Sequence, residues 1–196
     1  MAKSTHKIAI IDAHPDPDPA RYIHALADAY CAGARNAGHE VSHIMLGDIN
    51  MPILHSRDDW MHNDAPEDVK PGQEAMLWAD QIVFLYPLWL GDMPALLKAF
   101  LEQALRPGVA FQYGEGSTPK AMMKGKSARL VVTMGMPALF YRAYYGAHSV
   151  RSFKRNIMGL IGVDPVATSL IGNVEGSAKH RERWLARMKE YGAAGD

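Results

Sequence analysis

Residues 81–106 limit the possible folds of this chain more than any other segment of the sequence. The segment begins with five apolar residues, 82–86, whose length and composition are those of a strand buried on both faces. A proline ends this run, a short loop follows, and apolar residues then recur with helical spacing over residues 96–105. We expect this helix to begin near residues 92–94, with Asp92 as its cap. A fully buried strand that leads into a helix is typical of a parallel α/β sheet.

Four further segments have the composition of strands and alternate with segments of helical spacing. This alternation predicts a single α/β domain, residues 1–196, with a doubly wound sheet. The sheet is expected to hold five parallel strands in the order 2-1-3-4-5, with helices on both faces. The other predicted strands are residues 7–13, 40–46, 128–134 and 165–171, and the other predicted helices begin near Ala20, Gln73, Ser149 and Ser177.

Three segments lack a clear pattern of regular structure. Residues 47–72 and 107–126 have little hydrophobic periodicity, and residues 138–148, which are rich in tyrosine, are interpreted as a loop or a distorted helix. A loop as long as residues 47–72 is usually functional or mobile. Whether that loop covers a binding pocket is left open by the sequence.

The charge argues against nucleic acid and anionic membranes as partners, and the cysteine content indicates the redox compartment. The formal net charge is zero and the pI is near 7.1, so a strong field for nucleic acid or an anionic membrane is absent. Cys31, the one cysteine, cannot form an internal disulfide, which fits a reducing compartment. The sequence has neither an apolar signal segment at its N-terminus nor a run of transmembrane length, and no metal site is predicted. We therefore expect a cytoplasmic protein.

Three loops of the predicted sheet should meet at its carboxyl edge, where open α/β sheets bind ligands. The first loop runs from His14 to the helix near Ala20, and the free N–H groups at the start of a helix form a phosphate site. His14 and Arg21 would add hydrogen bonds or charge to this site. The sequence lacks a glycine-rich fingerprint for a dinucleotide or a P-loop. Taken by itself, His14 is equally consistent with a structural role.

The second and third loops offer surfaces for a flat ring. The second loop, residues 88–91 (LWLG), is apolar and aromatic. The third loop, residues 133–136, contains Gly135, which lets backbone N–H groups approach the polar edge of a ring closely. A phosphate site, an apolar rest and a polar edge together form the layout that a flavin requires. The alternative, that each loop is an ordinary connection, stays open.

Four stretches of the sequence carry a resemblance to a known family. They are AHPD at residues 13–16, AGHEV at 37–41, WADQIVFLYPLWLGDMPALLKAF at 78–100 and GKSARLVVTMG at 125–135. The chain resembles the NAD(P)H:quinone oxidoreductase family, which also contains drug-activity modulators and ancillary subunits of potassium-efflux systems. The resemblance extends from Ile8 to the last helix. It implies a flavodoxin-like three-layer sandwich and a non-covalent flavin, FAD or alternatively FMN, bound at the interface of a homodimer.

The resemblance also implies roles for individual residues. His14 would lie against the flavin phosphate. Tyr141 falls where the family has a tyrosine that stabilises charge on the ring during hydride transfer, and His148 matches an active-site histidine after a shift of one residue. A tyrosine that only packs a dimer interface is the alternative for Tyr141. The residues implied to contact the ring are Pro87, Leu88, Trp89 and Leu90 along its face, and Thr133, Met134, Gly135 and Met136 at its polar edge.

Three positions depart from the family pattern. The phosphate loop reads DPARYI at residues 18–23 where the family commonly has Ser, Phe or Asn, so phosphate binding would depend more on backbone N–H groups and Arg21. Leu90 stands where the family usually has its tryptophan, and MGM at residues 134–136 replaces Thr-Gly-Gly. The first change leaves the choice between FAD and FMN open, and the other two alter the shape of the substrate pocket.

The resemblance implies an enzyme that takes hydride from NAD(P)H through the flavin and passes it to a quinone or a similar flat acceptor. The two substrates would use the site in turn, which is a ping-pong mechanism. An electron carrier and a regulatory subunit of a membrane transporter are the alternatives, and the neutral charge argues against the carrier. A binding module without flavin is a third possibility, which the altered phosphate loop leaves open.

Overall fold

The strands and their pairing are described by a computed structural model that covers residues 5–114 and 118–196. Residues 1–4, part of the N-terminal segment without a signal pattern, and residues 115–117, part of the irregular segment 107–126, lie outside the described residues. The strands in chain order are β1 (Lys7–Asp12), β2 (Glu40–Met45), β3 (Gln81–Pro87), β4 (Phe111–Gln112), β5 (Lys120–Ala121), β6 (Ser127–Thr133) and β7 (Val166–Ile171).

The main sheet has five strands in the order β2-β1-β3-β6-β7, and each neighbouring pair is parallel. Without the short strands β4 and β5, this order is 2-1-3-4-5, as predicted from the sequence. Every residue of β3 is buried, as expected for the central strand of a sheet covered on both faces. Strands β4 and β5 form a small antiparallel hairpin that the sequence analysis did not predict.

Helices follow the strands in the alternation that the sequence predicts. A π-helical turn, Phe153–Met158, joins α6 to α7, and the hydroxyl of Ser177 caps α8 as predicted by accepting from the N–H of His180. None of the helices in the described ranges is long and apolar enough to cross a membrane. The helices are α1 (Tyr22–Asn36), α2 (Arg57–His62), α3 (Lys70–Trp78), α4 (Ala95–Ala104), α5 (Ala138–Ala143), α6 (His148–Ser152), α7 (Gly159–Ile161) and α8 (Ala178–Ala194).

The sheet separates two hydrophobic cores, because successive side chains of a strand point to opposite faces. In β1, Ile8 and Ile10 pack under α1 and α8, whereas Ala9 and Ile11 belong to the core on the other face. That second core includes residues of α3, α4 and the segment α6–α7. Helices cover both faces of the sheet, so the predicted three-layer sandwich is confirmed.

The helix after β3 begins at Ala95, later than predicted, and Asp92 does not cap it. A tight turn over residues 89–92 precedes the helix and holds Asp92 outside it. The carboxylate of Asp92 accepts a 2.7 Å hydrogen bond from the N–H of Met93, and the N-cap residue of α4 is Pro94. The predicted cap was therefore wrong.

The helix predicted to begin at Ser149 begins at His148 and has an irregular interior. Ser149 lies inside its first turn, and the hydroxyl of Ser149 bonds the hydroxyl of Tyr141 rather than capping the helix. The middle of the helix widens into the π-helical turn. Gly162 then ends the helix in the left-handed conformation (φ 85°), as predicted.

Residues 47–72 have more regular structure than the sequence analysis predicted, since they contain α2 and the start of α3. Trp60 packs against the core, and Arg106 fastens the segment to the end of α4. The guanidinium group of Arg106 donates to the carbonyl oxygens of Asp59 (2.5 Å) and Asn63 (3.1 Å). This long segment is therefore attached to the body of the protein through α4.

Candidate functional site

The first loop, residues 13–21, follows β1 and is shaped by His14. Nδ1 of His14 lies 3.1 Å from both the backbone nitrogen and the carbonyl oxygen of Asp16, which closes a tight turn. Burial lowers the pKa of His14, which favours the neutral ring that accepts from the N–H of Asp16. The His14 ring also meets the ring of Trp89 edge-on, with centroids 5.7 Å apart. His14 therefore connects the first loop to the second.

Arg21, which the sequence analysis assigns to a phosphate, is paired with carboxylates of its own loop. Its Nε donates to Oδ2 of Asp16 at 2.8 Å, and a terminal nitrogen lies 2.5 Å from the same oxygen and 3.7 Å from Asp18. A phosphate bound here would have to draw Arg21 away from Asp16. In the described part of the chain no side chain caps the N-terminus of α1, so the first N–H groups of this helix face no competing cap.

A buried cluster of one carboxylate and two histidines lies next to the first loop, and the sequence analysis did not single it out. Asp12 is fully buried, and Nδ1 of His24 lies 2.5 Å from its Oδ2. Nε2 of His24 lies 2.9 Å from the carbonyl oxygen of Asp16, and Nε2 of His43 lies 3.9 Å from Asp12 Oδ2. Because both ring nitrogens of His24 face oxygen acceptors, this geometry favours the doubly protonated ring, which is positively charged.

The pKa values of this cluster agree with an ion pair. Burial opposes the charge on Asp12, but His43 and His24 outweigh burial and hold the pKa of Asp12 below its usual value. Burial also opposes the charge on His24, yet the hydrogen bonds to Asp12 and to the Asp16 carbonyl raise the pKa of His24. A carboxylate that ends an apolar strand and a histidine on the apolar face of a helix are the signals that could have revealed the pair, because neither is stable there alone.

The second loop is a tight turn that holds Trp89 at the edge of the sheet. Trp89 and Asp92 exchange two backbone hydrogen bonds of 2.9 Å each. Leu90 and Gly91, between them, both have positive φ (50° and 81°), which a leucine adopts only with strain. Leu90 is fully exposed at the tip of the turn, and Trp89 is about half exposed at 47%. The turn therefore presents two large apolar side chains to its surroundings.

Backbone contacts join the second loop to the third. Pro87, at the end of β3, pairs with Thr133, at the end of β6, and both residues are buried. The N–H of Leu88 donates to the carbonyl oxygen of Thr133 at 2.8 Å. The two loops therefore leave the sheet side by side, as the order of the strands requires.

The third loop presents backbone donors that are not used within the protein. Met134 is buried, and its N–H donates to the carbonyl oxygen of Ile171 at 2.9 Å. Over the described ranges, the N–H groups of Gly135 and Met136 have no hydrogen-bond partner. A Cβ atom at Gly135 would meet open space. This stretch can therefore accept a ligand with acceptor atoms along one edge.

Two glycines allow other segments to pack against the first and third loops, and the sequence analysis did not assign them. A Cβ atom at Gly47 would lie 2.9 Å from the carbonyl oxygen of His14. A Cβ atom at Gly172 would lie 2.3 Å from the backbone nitrogen of Ala138 and 2.6 Å from the carbonyl oxygen of Met136. A glycine shortly after a strand is the sequence signal for such a close approach.

Tyr141 and His148, the residues assigned to catalysis, have different surroundings. Tyr141 is buried in α5, and its hydroxyl lies 2.6 Å from the hydroxyl of Ser149 in α6. His148 is exposed at the start of α6, after Ala147 in the left-handed conformation. Ser149 is thus a further candidate residue, because it orients the hydroxyl of Tyr141.

The three loops together fit a flavin. Trp89 provides an aromatic face, the Gly135–Met136 stretch provides unpaired donors beside open space, and the uncapped start of α1 provides N–H groups for a phosphate. Met136 is partly buried at the same edge. The sequence-predicted residues of these loops lie at the carboxyl ends of three adjacent strands, β1, β3 and β6.

Three known proteins that this chain resembles are named quinone oxidoreductases. FMN-dependent NADH:quinone oxidoreductase 2 of Listeria monocytogenes serotype 4b is 25% identical over 207 residues, which cover 93% of this chain and 94% of that protein. The protein of the same name from Listeria innocua is 31% identical over 122 residues, and this match covers 59% of this chain and 54% of that one. The structure of an NAD(P)H:quinone oxidoreductase from Methanothermobacter marburgensis superposes with a TM-score of 0.80 at 25% identity, covering 97% of this chain and 96% of that one.

A family description matches nearly the whole chain. The match runs over residues 6–193, and the description of the family is the flavodoxin-like fold. This match agrees with the observed strand order and with the helices on both faces of the sheet. It also agrees with the names of the relatives. The resemblance inferred from the sequence motifs is thereby confirmed, and the chain belongs to the family of proteins with the flavodoxin-like fold.

Proposed function

We propose that this protein is an FMN-dependent NAD(P)H:quinone oxidoreductase. The observation that carries the proposal is the aromatic face of Trp89 at the same sheet edge as two unpaired N–H donors, those of Gly135 and Met136. Relatives named as quinone oxidoreductases support the reaction. The electron carrier and the transporter subunit stay as alternatives.

FMN is proposed in place of FAD. The sequence analysis placed FAD first, but the relatives from Listeria are named FMN-dependent, and their names give no support to FAD. The pairing of Arg21 with Asp16 is compatible with either flavin, since backbone N–H groups can hold the phosphate in both cases.

The residues of this chain would bind and orient the cofactor. The flavin, when bound, supplies the hydride chemistry. Pro87, Leu88 and Trp89 would support one face of its ring, with Leu90 at the rim. In the third loop, Thr133 to Met136, the N–H groups of Gly135 and Met136 would fix the polar edge and stabilise negative charge that develops there. His14 and the start of α1 would hold the phosphate.

Tyr141 and His148 are proposed as the residues that stabilise charge on the ring during reduction. A hydroxyl of fixed orientation suits this role, because a preorganised donor needs no rearrangement during the reaction. The hydrogen bond to Ser149 keeps the hydroxyl of Tyr141 in one position. NAD(P)H and the quinone would then use the open side of the site in turn. Parallel lines in double-reciprocal plots against both substrates are expected for this ping-pong order, and intersecting lines would contradict it.

We also propose a homodimer with the flavin site at its interface. Leu139, Phe140, Tyr144 and Tyr145 are exposed, and the rings of Phe140 and Tyr144 stack with centroids 5.1 Å apart. A cluster of exposed aromatic residues next to a site usually marks an association surface. Light scattering is expected to give the mass of a dimer, and the mass of a monomer would contradict this proposal.

The experiment that tests the proposed function is spectroscopic. The purified protein, supplied with FMN if it is colourless, is expected to show flavin absorption bands that bleach when NADH or NADPH is added without oxygen. A quinone is then expected to restore the bands, and chromatography of the released compound identifies the flavin. A protein that fails to bind either FMN or FAD would overturn the proposal. Bleaching without turnover of a quinone would favour the electron carrier or the regulatory subunit.

A further inference from the structure

A groove beside the edge strand β7 adjoins the candidate site, but none of its lining residues belongs to the three loops of that site. It lies between α5, the segment of α6 with the π-helical turn, and the outer strand of the sheet, and its cavity has a volume of about 580 Å³. Three of its lining residues are basic, and most of the others are apolar. The residues of this basic groove are Ala138, Leu139, Arg142, Gly146, Ala147, Val150, Arg151, Lys154, Thr168 and Leu170.

The three basic side chains of the groove are exposed. Arg142, Arg151 and Lys154 form no ion pair with a carboxylate within residues 5–114 and 118–196. The sequence explains this isolation, because residues 116–163 contain eight Lys and Arg residues and no Asp or Glu. In a protein of zero net charge, this is a marked local excess of positive charge.

The local fold directs these cations into one groove. Arg142 projects from α5, while Arg151 and Lys154 are three residues apart and therefore lie on one side of their helix. Lys154 is part of the π-helical turn, a form that is frequent at functional sites. Three cations beside apolar lining residues suit a ligand with several phosphate groups and a flat organic part.

The groove begins at the edge of the sheet where the flavin is proposed. Ala138 and Leu139 follow the third loop directly, and Leu170 pairs with Val132 close to the end of β6. From there the groove runs down β7 to Thr168, two residues away, which is about 7 Å along a strand. A long ligand with one end on the flavin can therefore continue into the groove.

We propose that the basic groove binds the phosphate groups of the nicotinamide nucleotide and that it recognises the 2′-phosphate of NADPH. This inference rests on the proposed function. The 2′-phosphate adds a charge of about −1.5 to −2 that NADH lacks, and the groove offers unpaired Arg and Lys side chains to it. On this proposal, the groove makes the chain bind NADPH more tightly than NADH.

The test measures binding separately from catalysis. Isothermal titration of the flavin-loaded protein with adenosine 2′,5′-bisphosphate and with adenosine 5′-monophosphate compares the two nucleotides directly. In Arg151→Gln/Lys154→Gln, the dissociation constant of the bisphosphate is expected to rise about 10- to 50-fold, and that of the monophosphate by much less. Arg155→Gln is the matched control, because Arg155 is exposed on the same helical turn and does not line the groove.

The outcomes separate this inference from the proposed function. Equal binding of the bisphosphate by the wild type and the double variant would overturn the inference, as would an equal loss in Arg155→Gln. An equal loss for both nucleotides in the double variant would overturn the assignment to the 2′-phosphate. The absorption spectrum of the same sample reports on the flavin. If NADH and NADPH both fail to bleach it, the proposed function fails, and the groove no longer has a nicotinamide nucleotide as its ligand.

Discussion

Burial disfavours charge on the ring of His24, but the hydrogen bonds to Asp12 and to the Asp16 carbonyl raise the pKa of that ring. It bridges the fully buried carboxylate of Asp12 and the carbonyl oxygen of Asp16, so it connects β1 to the turn of the first loop. The other titratable groups that influence this cluster are His14, Asp28, His43 and Cys31. Burial opposes the charge on His43, but Asp12 and Cys31 raise the pKa of His43 to about 9, so His43 also loses its proton in alkaline solution. The stability of the first loop therefore depends on the protonation of a residue that does not itself face the candidate ligand.

We expect the free energy of unfolding to fall as the pH rises above 6.5, the ordinary pKa of histidine. His24 has a raised pKa in the folded state, so its contribution is complete below 6.5 and is lost as the pH passes through the folded value. Asp12 has a lowered pKa, so its contribution is lost only in acid, below 3.8. Loss of the charge-assisted bond is expected to cost about 1.5–3 kcal/mol in urea unfolding.

Two variants isolate the contribution of His24. His24→Asn keeps a donor near the position of Nδ1 and cannot titrate. Between pH 6.5 and alkaline conditions, the free energy of unfolding of this variant is therefore expected to change less than that of the wild type. His62→Asn is the control, since His62 lies on the exposed side of α2 and is 3.7 Å from an exposed carboxylate. A pH profile of His24→Asn identical to that of the wild type would show that His24 is not the titrating group.

Tyr141 has two possible roles that mutations can separate. If its hydroxyl stabilises charge on the flavin, Tyr141→Phe is expected to slow flavin reduction by NAD(P)H about tenfold or more in stopped-flow experiments. Ser149→Ala removes the partner of that hydroxyl and keeps the hydroxyl itself, so its effect on the rate is expected to be smaller. If both variants only lose about 1 kcal/mol of stability and keep the wild-type rate, the hydroxyl serves to join α5 to α6.

At the scale of elements, the loops of the site are held by segments that lie outside it. Gly47 packs against the first loop and Gly172 against the third, and both contacts are with backbone atoms. Residues 47–72 are held in turn by α4, through the buried side chains of Arg106 and Gln103. The segment that seemed irregular from its sequence is thus part of the support of the first loop.

Arg106 is expected to control the order of residues 47–72. Arg106→Met removes the donors to the carbonyl oxygens of Asp59 and Asn63, and the free energy of unfolding is expected to fall by about 2–4 kcal/mol. The rate of amide hydrogen exchange should increase more in residues 47–72 than in β3. Lys98→Met, which removes an exposed ion pair with Glu102 of α4, is expected to cost less than about 0.5 kcal/mol. Unchanged exchange in the segment would refute the attachment.

At the scale of the whole molecule, α1 and α8 approach closely enough to bring their backbones into contact. A Cβ atom at Gly33 would lie 2.0 Å from the carbonyl oxygen of Lys189, and one at Gly192 would lie 2.1 Å from the carbonyl oxygen of Tyr30. Two glycines, one on each helix, therefore set the distance between them. The last helix of the chain thereby covers the helix whose first turn belongs to the candidate site.

Gly192→Ala is expected to force the two helices apart. The free energy of unfolding should fall by about 1–3 kcal/mol, because the added methyl group overlaps backbone atoms that cannot rotate away. Gly159→Ala is the control, since its nearest neighbour would lie at an ordinary 3.6 Å, and it should be neutral or stabilising by up to about 1 kcal/mol. Equal stabilities of the two variants, measured by chemical denaturation, would contradict the close packing.

The sequence predicted the architecture well, because the elements that form the sheet have strong local signals. The apolar run at residues 82–86 and the alternation of strands and helices were enough to predict the strand order, which the structure has. The three loops were also placed correctly at one edge, since parallel strands in this order bring their carboxyl ends together. Their detailed roles, such as that of Trp89, still rest on the resemblance and on the proposal made from it.

What the sequence determined by itself is therefore the order of the strands, the loops at the carboxyl edge and the family. Only the tertiary structure decided the pairing of Asp12 with His24, the bond between Tyr141 and Ser149 and the three cations of the basic groove. The physical reason is the range of the interactions. Hydrophobic periodicity is local and can be read along the chain, whereas a buried charge or a close backbone contact depends on which distant residues the fold brings within a few ångströms.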